Sequence, residues 1–354
     1  MRSQWLGAFG LISLIFLTIG AFDIEKKQAV APIDLARKVE PARQIVRLLA
    51  VGDVNLGRGV GREILTGDTL YPFAYVKDEF AKYDVVFANL ESPLSDQDGE
   101  TQHPRNNLIF TGPPEGAQSL QKAGITVVST ANNHALDYGV SAQRQTMQYL
   151  STAGIYFVGT SIDSQSLFKP AVLVKNGIRI ALFACTDIMN IEDQMWKRYV
   201  APADTSKLVP RIRMYRDSVD FIIVSYHGGE EYRDAPARST QNFAHSMISA
   251  GADLFLGHHP HVPYGIEEIS GRYIVYSLGN FVFYQPDRYW TQHSFGFSAD
   301  LVKDALGTRV LKFQCLPVSC GLQPRFITDE LDARRISERI AGLSSVKIAQ
   351  RETQ

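Results

Sequence analysis

Cysteine is scarce, with three in 354 residues. So few cannot build a disulfide framework. Cys185 lies in the apolar run IALFAC and reads as a buried thiol, whereas Cys315 and Cys320 are close enough in sequence to pair if the body lies in an oxidising compartment. Net charge is equally slight: 36 Lys and Arg against 37 Asp and Glu leave a formal −1. No global field recruits nucleic acid, and no basic stripe is present to grip a polyanion. Internal repeats and low-complexity segments are also missing. What remains is an ordinary globular composition, 45% hydrophobic and 21% charged, in a chain long enough for one large α/β domain or two smaller ones.

From Trp5 to Phe22 the chain runs eighteen residues without a charge, close to the minimum for a membrane-spanning helix. Residues 1–22 therefore read as a signal anchor or a long signal peptide. Ala29-Val30-Ala31 offers the small residues of a cleavage site, but Pro32 follows directly, which favours retention as a single-pass anchor. The expected location is the cell membrane, with the body extracytoplasmic. Arg2 on one side and Lys26, Lys27, Arg37 and Lys38 on the other mean that the positive-inside rule does not decide the topology. Residues 23–44 are polar, contain Pro32 and Pro41, and read as a linker.

A repeating grammar begins at Ile45. Apolar runs of strand length occur at 45–52, 84–88, 125–130, 155–158, 178–184, 221–226 and 253–256. Helical spacing falls between them at 72–82, 114–123, 140–153, 207–218 and 237–250. Continuous apolar strands alternating with helices predict an α/β fold whose sheet is covered on both faces. The later runs at 264–269, 273–277, 295–303 and 308–317 follow one another without helices, and predict antiparallel strands that complete a mixed sheet or form a second. Residues 45–327 thus form the body, and 328–354 a C-terminal surface helix and tail.

Chemistry collects where the strands end. The run before Asp53 and Asn55, the run before Glu91, the run before Asn133 and His134, the run before His227 and the run before His259 and His261 each deliver oxygen or imidazole groups. In an open α/β sheet, ligands gather beyond the carboxyl ends of the strands, so five strand ends converge on one rim. Any one of these residues has an ordinary role as a turn former, cap or solvated charge. Their repetition at five strand ends predicts a metal site. Gly257 reads as a turn closing the last strand, and Pro260 stiffens the segment between His259 and His261. His258, offset by one residue, reads as supporting or structural, and His245 as packed within a helix.

The segments GDVNLGRGV, ANLESPL, STANNHALDYG, SYHGGEEY, GADLFLGHHPHV and YSLGNFVF resemble, in that order, the capsule synthesis protein CapA family of poly-gamma-glutamate biosynthesis. That family is related to the calcineurin-like metallophosphoesterases. The resemblance implies a metallophosphatase-like arrangement of mixed sheets flanked by helices, with one or two divalent ions, Mn, Zn, Fe or Mg not being distinguished. By the same resemblance Asp53, Asn55 and His261 serve the first ion, Glu91 bridges, and Asn133, His227 and His259 serve the second. His134 is then the general acid, with Asp137 orienting it. Arg58 and Asn280 stand as candidates for substrate binding, Asn280 equally as a group supporting the ligands from behind. Two departures weaken the first ion's site: Asn55 replaces a histidine of the superfamily, and Glu91 replaces an aspartate.

Three functions are compatible with these residues. The first is a membrane-anchored metal-dependent hydrolase acting on an anionic polymer or a phosphorylated envelope substrate. The second is a non-catalytic component binding metal or polymer among synthesis and export subunits. The third, a cytoplasmic nucleotide phosphatase, requires residues 5–22 not to be membranous.

Overall fold

The computed structural model describes residues 43–348 apart from residue 329. The anchor and linker predicted at 1–44 therefore lie almost wholly outside the described residues. Among the described residues, no helix is long and apolar enough to cross a membrane.

In chain order the elements are β1 (Gln44–Val54), α1 (Arg58–Leu65), α2 (Lys77–Phe80), β2 (Val85–Leu90), α3 (Gly116–Ala123), β3 (Val127–Ser129), α4 (Gly139–Thr152) and β4 (Tyr156–Val158). They continue with β5 (Ala171–Lys175), β6 (Ile178–Thr186), α5 (Thr205–Arg216), β7 (Phe221–His227), α6 (Arg238–Ala250) and β8 (Leu254–His258). The last are β9 (Ile266–Ile269), β10 (Arg272–Val275), β11 (Asn280–Val282), β12 (His293–Asp304), β13 (Gly307–Ser319), β14 (Arg325–Phe326) and α7 (Glu330–Leu343). One sheet has the order β14-β13-β12-β1-β2-β3-β4, with β11 also pairing β1; the second has the order β5-β6-β7-β8-β10-β9.

Side-chain alternation assigns each strand two jobs. Leu48 and Ala50 of β1, Phe87 of β2, Ile180 and Leu182 of β6, Ile223 of β7 and Leu254 of β8 fill the core between the sheets. Their neighbours Leu49, Val51, Val86 and Ala88 face the outer layer with Val60, Ile64 and Leu120 from α1 and α3. On the other side Phe183, Ile222, Val224 and Phe255 meet Leu208 and Ile212 of α5 and Met247 and Ile248 of α6. The result is a helix, sheet, sheet, helix sandwich, which is why the strands read as continuously apolar rather than alternating. β1, β2, β3 and β4 run parallel in one sheet, and β6, β7, β8 and β10 run parallel in the other. Each sheet therefore has one edge made of carboxyl ends.

Several expectations need correction. The helix expected over 72–82 is a 3-10 turn at Tyr71–Phe73 and a single turn at α2, because Phe73, Val76 and Phe80 are all buried and packing fixes this segment rather than helix propensity. Helix α1 is not foreseen in the sequence because Gly57, Gly59 and Gly61 break its pattern. The β5–β6 hairpin turns on Asn176 and Gly177, at φ 49° and 80°, an Asn-Gly signal of the kind that closes two-residue hairpins. β10 pairs β8 in parallel, not antiparallel; its apolar Ile274 and Val275 take the interior place and leave β9, with Glu267 and Glu268, at the edge. α7 is no mere surface helix, since Ile336 and Ile340 are wholly buried in the inter-sheet core. Cys315 and Cys320 are both free; Cys315, on β13, packs against the inter-sheet core, and Cys320, just past the end of that strand, packs against the outer one.

Candidate metal centre

Glycine brings the ligand-bearing strands close. A Cβ on Gly52 would lie 1.9 Å from the Gly279 carbonyl oxygen, and one on Gly257 would lie 2.0 Å from that of Tyr276. Gly257 is therefore a close-approach residue inside β8, not the turn that its place in the sequence suggests. Asp53 follows the first glycine, in register with Asn89 of β2 and Asn280 of β11. After β8, His259 and His261 adopt φ of 93° and 61° on either side of Pro260. Non-glycine residues held there cost about 1–3 kcal/mol each, a strain that persists only where surroundings enforce it.

Two triads of ligand atoms result, Asp53, Glu91 and His261, and Glu91, His227 and His259, with atoms within 4.8 Å of one another in each. Glu91 belongs to both. Its Oε1 lies 3.7 Å from His227 Nε2 and 4.0 Å from His261 Nε2. Both Glu91 oxygens are buried and have no hydrogen-bond partner, as has Nδ1 of His259. Burial, then the neighbouring Asp53 charge, pushes the Glu91 carboxyl well above its usual range. Burial, with His259 adding to it, holds His227 well below the usual imidazole value, and burial with His261 brings His259 down to about 3. Burial opposes ionisation of Asp53, yet contacts with His258 and His261 win and hold it well below the ordinary value. An orphaned carboxylate, a second carboxylate and two neutral imidazoles are donors that fit divalent cations of borderline or hard character.

Amides fix the rings. Asn89 Nδ2 donates to Asp53 Oδ1 at 2.9 Å and lies 3.1 Å from His227 Nδ1. Asn133 Oδ1 lies 2.8 Å from His227 Nε2, while its Nδ2 donates to Asn190 Oδ1 at 3.1 Å. Asn280 Oδ1 meets His261 Nδ1 at 2.9 Å, and its Nδ2 donates to Gln285 Oε1 and the Thr291 carbonyl. Asn280 is wholly buried and both its amide ends are engaged, so the expected substrate contact is corrected to a residue that orients His261. Asn55 Oδ1 accepts from the Gly57 N–H at 2.8 Å, closing a local turn.

His134 Nδ1 faces Asp137 Oδ2 at 2.8 Å, its Nε2 lies 4.0 Å from Glu91 Oε1, and Phe110 stacks on its ring at 4.1 Å. Asp137 Oδ2 also accepts from the Phe110 N–H, which fixes the carboxylate behind the imidazole. Arg58 sits over Phe110 at 4.8 Å and 5.9 Å from Phe283, whose ring is 5.0 Å from that of His261. His258, offset by one residue from His259, is wholly buried with Nδ1 3.3 Å from Asp53 Oδ1, because strand alternation carries it back to β1. His245 is half-exposed with Nε2 2.9 Å from Glu267 Oε2, so it is a hydrogen-bonded residue at the surface and not a packed one. Asn89 and Asn190 join the site without having been expected there. Asn89 precedes Glu91 by two and is legible as a strand-end amide; Asn190 sits in a loop after β6 with no sequence signal.

A profile of the family described as "Bacterial capsule synthesis protein PGA_cap" matches residues 47–285. The chain is 28% identical over 340 residues to the capsule biosynthesis protein CapA of Bacillus anthracis, covering 93% of this chain and 79% of that one. It is 34% identical over 247 residues to the PGA biosynthesis protein CapA of Bacillus subtilis (strain 168), covering 68% of this chain and 63% of that one. A Mycobacterium tuberculosis protein named as a probable polyglutamine synthesis accessory protein is 28% identical over 327 residues, covering 85% of each chain. Among solved structures, one described as a putative 5'-nucleotidase of Staphylococcus aureus superposes with a TM-score of 0.47 at 12% identity, over 84% of this chain and 58% of that one. With the profile spanning more than half its length, the chain belongs to the bacterial capsule synthesis protein family.

Proposed function

We propose that this chain is a metal-dependent hydrolase of phosphoesterase type, working within capsule or poly-gamma-glutamate synthesis on a phosphorylated or polymeric anionic substrate of the envelope. The observation that supports it best is the His134–Asp137 pair aimed at the carboxylate shared by both triads. A purely structural metal site needs no such acid. Asp53, Glu91 and His261 would hold one ion, and Glu91, His227 and His259 another. When bound, divalent cations supply charge neutralisation at the scissile group and lower the pKa of water toward neutrality. His134 Nε2 delivers a proton to the leaving oxygen, while Asp137 holds the Nδ1 proton and stabilises the ring's positive charge. Asn89 and Asn280 keep His227 and His261 in place, and Phe110 shields the acid from solvent.

The test is metal content and phosphoesterase turnover of the full chain, repeated with His134→Ala. Turnover should fall by about 10²–10⁴-fold with metal content unchanged. Tight metal binding with no turnover on a broad panel of phosphate esters and amides would favour a binding component of a synthesis complex. The Asn55 amide committed to Gly57 and a relative named as an accessory protein support that second reading. Under either reading we place the body outside the cytoplasm on an anchor at residues 5–22; fractionation of a tagged chain into the soluble cytoplasmic pool would refute this.

A further inference from the structure

Beyond Phe283, whose ring is 5.0 Å from that of His261, lies a cavity of about 310 Å³ lined by Arg58, Arg62, Phe283, Tyr284 and Leu322. Arg58 is the layer next to the chemistry, because the two rings it overlies, Phe110 and Phe283, also cover His134 and His261. Its backbone sits at φ 53°, held by Thr101, whose carbonyl accepts the Arg58 N–H and whose hydroxyl donates to the Arg58 carbonyl, both at 2.9 Å. The conformation is enforced, and it directs a cationic side chain inward.

Nη2 of Arg58 donates to the Asn107 carbonyl, but its buried Nε has no partner. Arg62, one helical turn on, faces the same cavity with its side chain exposed. Among the described residues neither arginine belongs to an ion pair, unlike Arg216, Arg233, Arg272, Arg309, Arg334 and Arg339. A guanidinium that lines a cavity without a carboxylate partner keeps donor capacity free for a ligand there.

We propose that this cavity is a subsite for an anionic group, carboxylate or phosphate, that the substrate carries beyond the reacting bond. Arg58 binds that group with its planar fork and Arg62 adds charge at the mouth. A substrate with recurring carboxylates places one in the cavity while the bond beside it reaches His134. This extends the hydrolase reading by naming what the substrate must carry. The cavity needs no metal to work, so binding and turnover test the two ideas separately.

The experiment is calorimetric titration of the full chain in chelator, at low salt, with a γ-linked glutamate trimer and separately with inorganic phosphate. Binding should weaken at least about tenfold in Arg58→Ala and less in Arg62→Ala, should not be restored by Arg58→Lys, and should weaken as salt rises. Trimer binding assigns the subsite to carboxylates; phosphate binding that depends on Arg58 without trimer binding assigns it to phosphate. Failure of both probes on the wild type, or unchanged affinity in both arginine variants, overturns the proposal. Arg62→Ala changes only an exposed side chain, so its result stands even if Arg58→Ala fails to fold.

Discussion

Glu91 has both carboxylate oxygens buried and unpartnered, with the Asp53 charge nearby. Its folded pKa is raised, so in metal-free protein the carboxylate form opposes folding at neutral pH. In chelator, Glu91→Gln should raise the midpoint of denaturant unfolding, a gain of about 1 kcal/mol or more in unfolding free energy. With Mn²⁺ added the order should reverse, because the wild type gains binding energy that the amide forfeits. Equal midpoints in both conditions would mean the carboxylate is no ligand. Glu91 itself is legible in the sequence as a strand-end acid. Its isolation from every donor is not, since that depends on which groups four other strands bring near.

At the scale of the element, the site depends on backbones approaching more closely than side chains allow. Gly257→Ala would place a methyl 2.0 Å from the Tyr276 carbonyl oxygen, so β8 and the loop after β10 must separate. The expected loss is about 1–3 kcal/mol in chemical denaturation, together with weaker metal binding by the triad containing His259. A variant as stable as the wild type would show that this approach carries no strain.

Asp253 is a second device at this scale. Its Oδ2 accepts from Arg216 of α5 at 2.6 Å and from the Ile222 N–H of β7 at 2.8 Å. Burial outweighs the Arg216 charge and raises its pKa above 3.8. A carboxyl with a raised folded pKa contributes stability that is full below the unfolded value and declines as pH rises through the folded one. The wild type's advantage over Asp253→Asn should therefore be greatest at acidic pH and shrink toward neutrality; unfolding curves across that range check the sign. The run from Asp253 to Leu256 is readable in the sequence as a strand. The ion pair is not, because Arg216 lies at the end of a different element.

For the whole molecule, α7 closes the space between the sheets. Ile336 and Ile340 are wholly buried there, and Arg339 lies over Trp290 at 4.4 Å and pairs with Asp234 at 2.9 Å. Ile340→Ala should cost about 2–5 kcal/mol, far more than a surface helix could, as thermal or denaturant unfolding would register. A change under about 0.5 kcal/mol would return α7 to the surface role its polar sequence suggests.

The sequence alone determined the alternation of buried strands and helices, the gathering of Asp53, Glu91, Asn133, His227, His259 and His261 at strand ends, and the family. Those features follow from local hydrophobic pattern and ordered motifs, which survive without knowledge of contacts. Only the tertiary structure decided that both Glu91 oxygens lack a hydrogen-bond donor, that Asn89 contacts His227 and that Arg58 faces a cavity. Each depends on atoms far apart in the chain, and nothing in a linear pattern specifies which distant donor a buried group will find or lack.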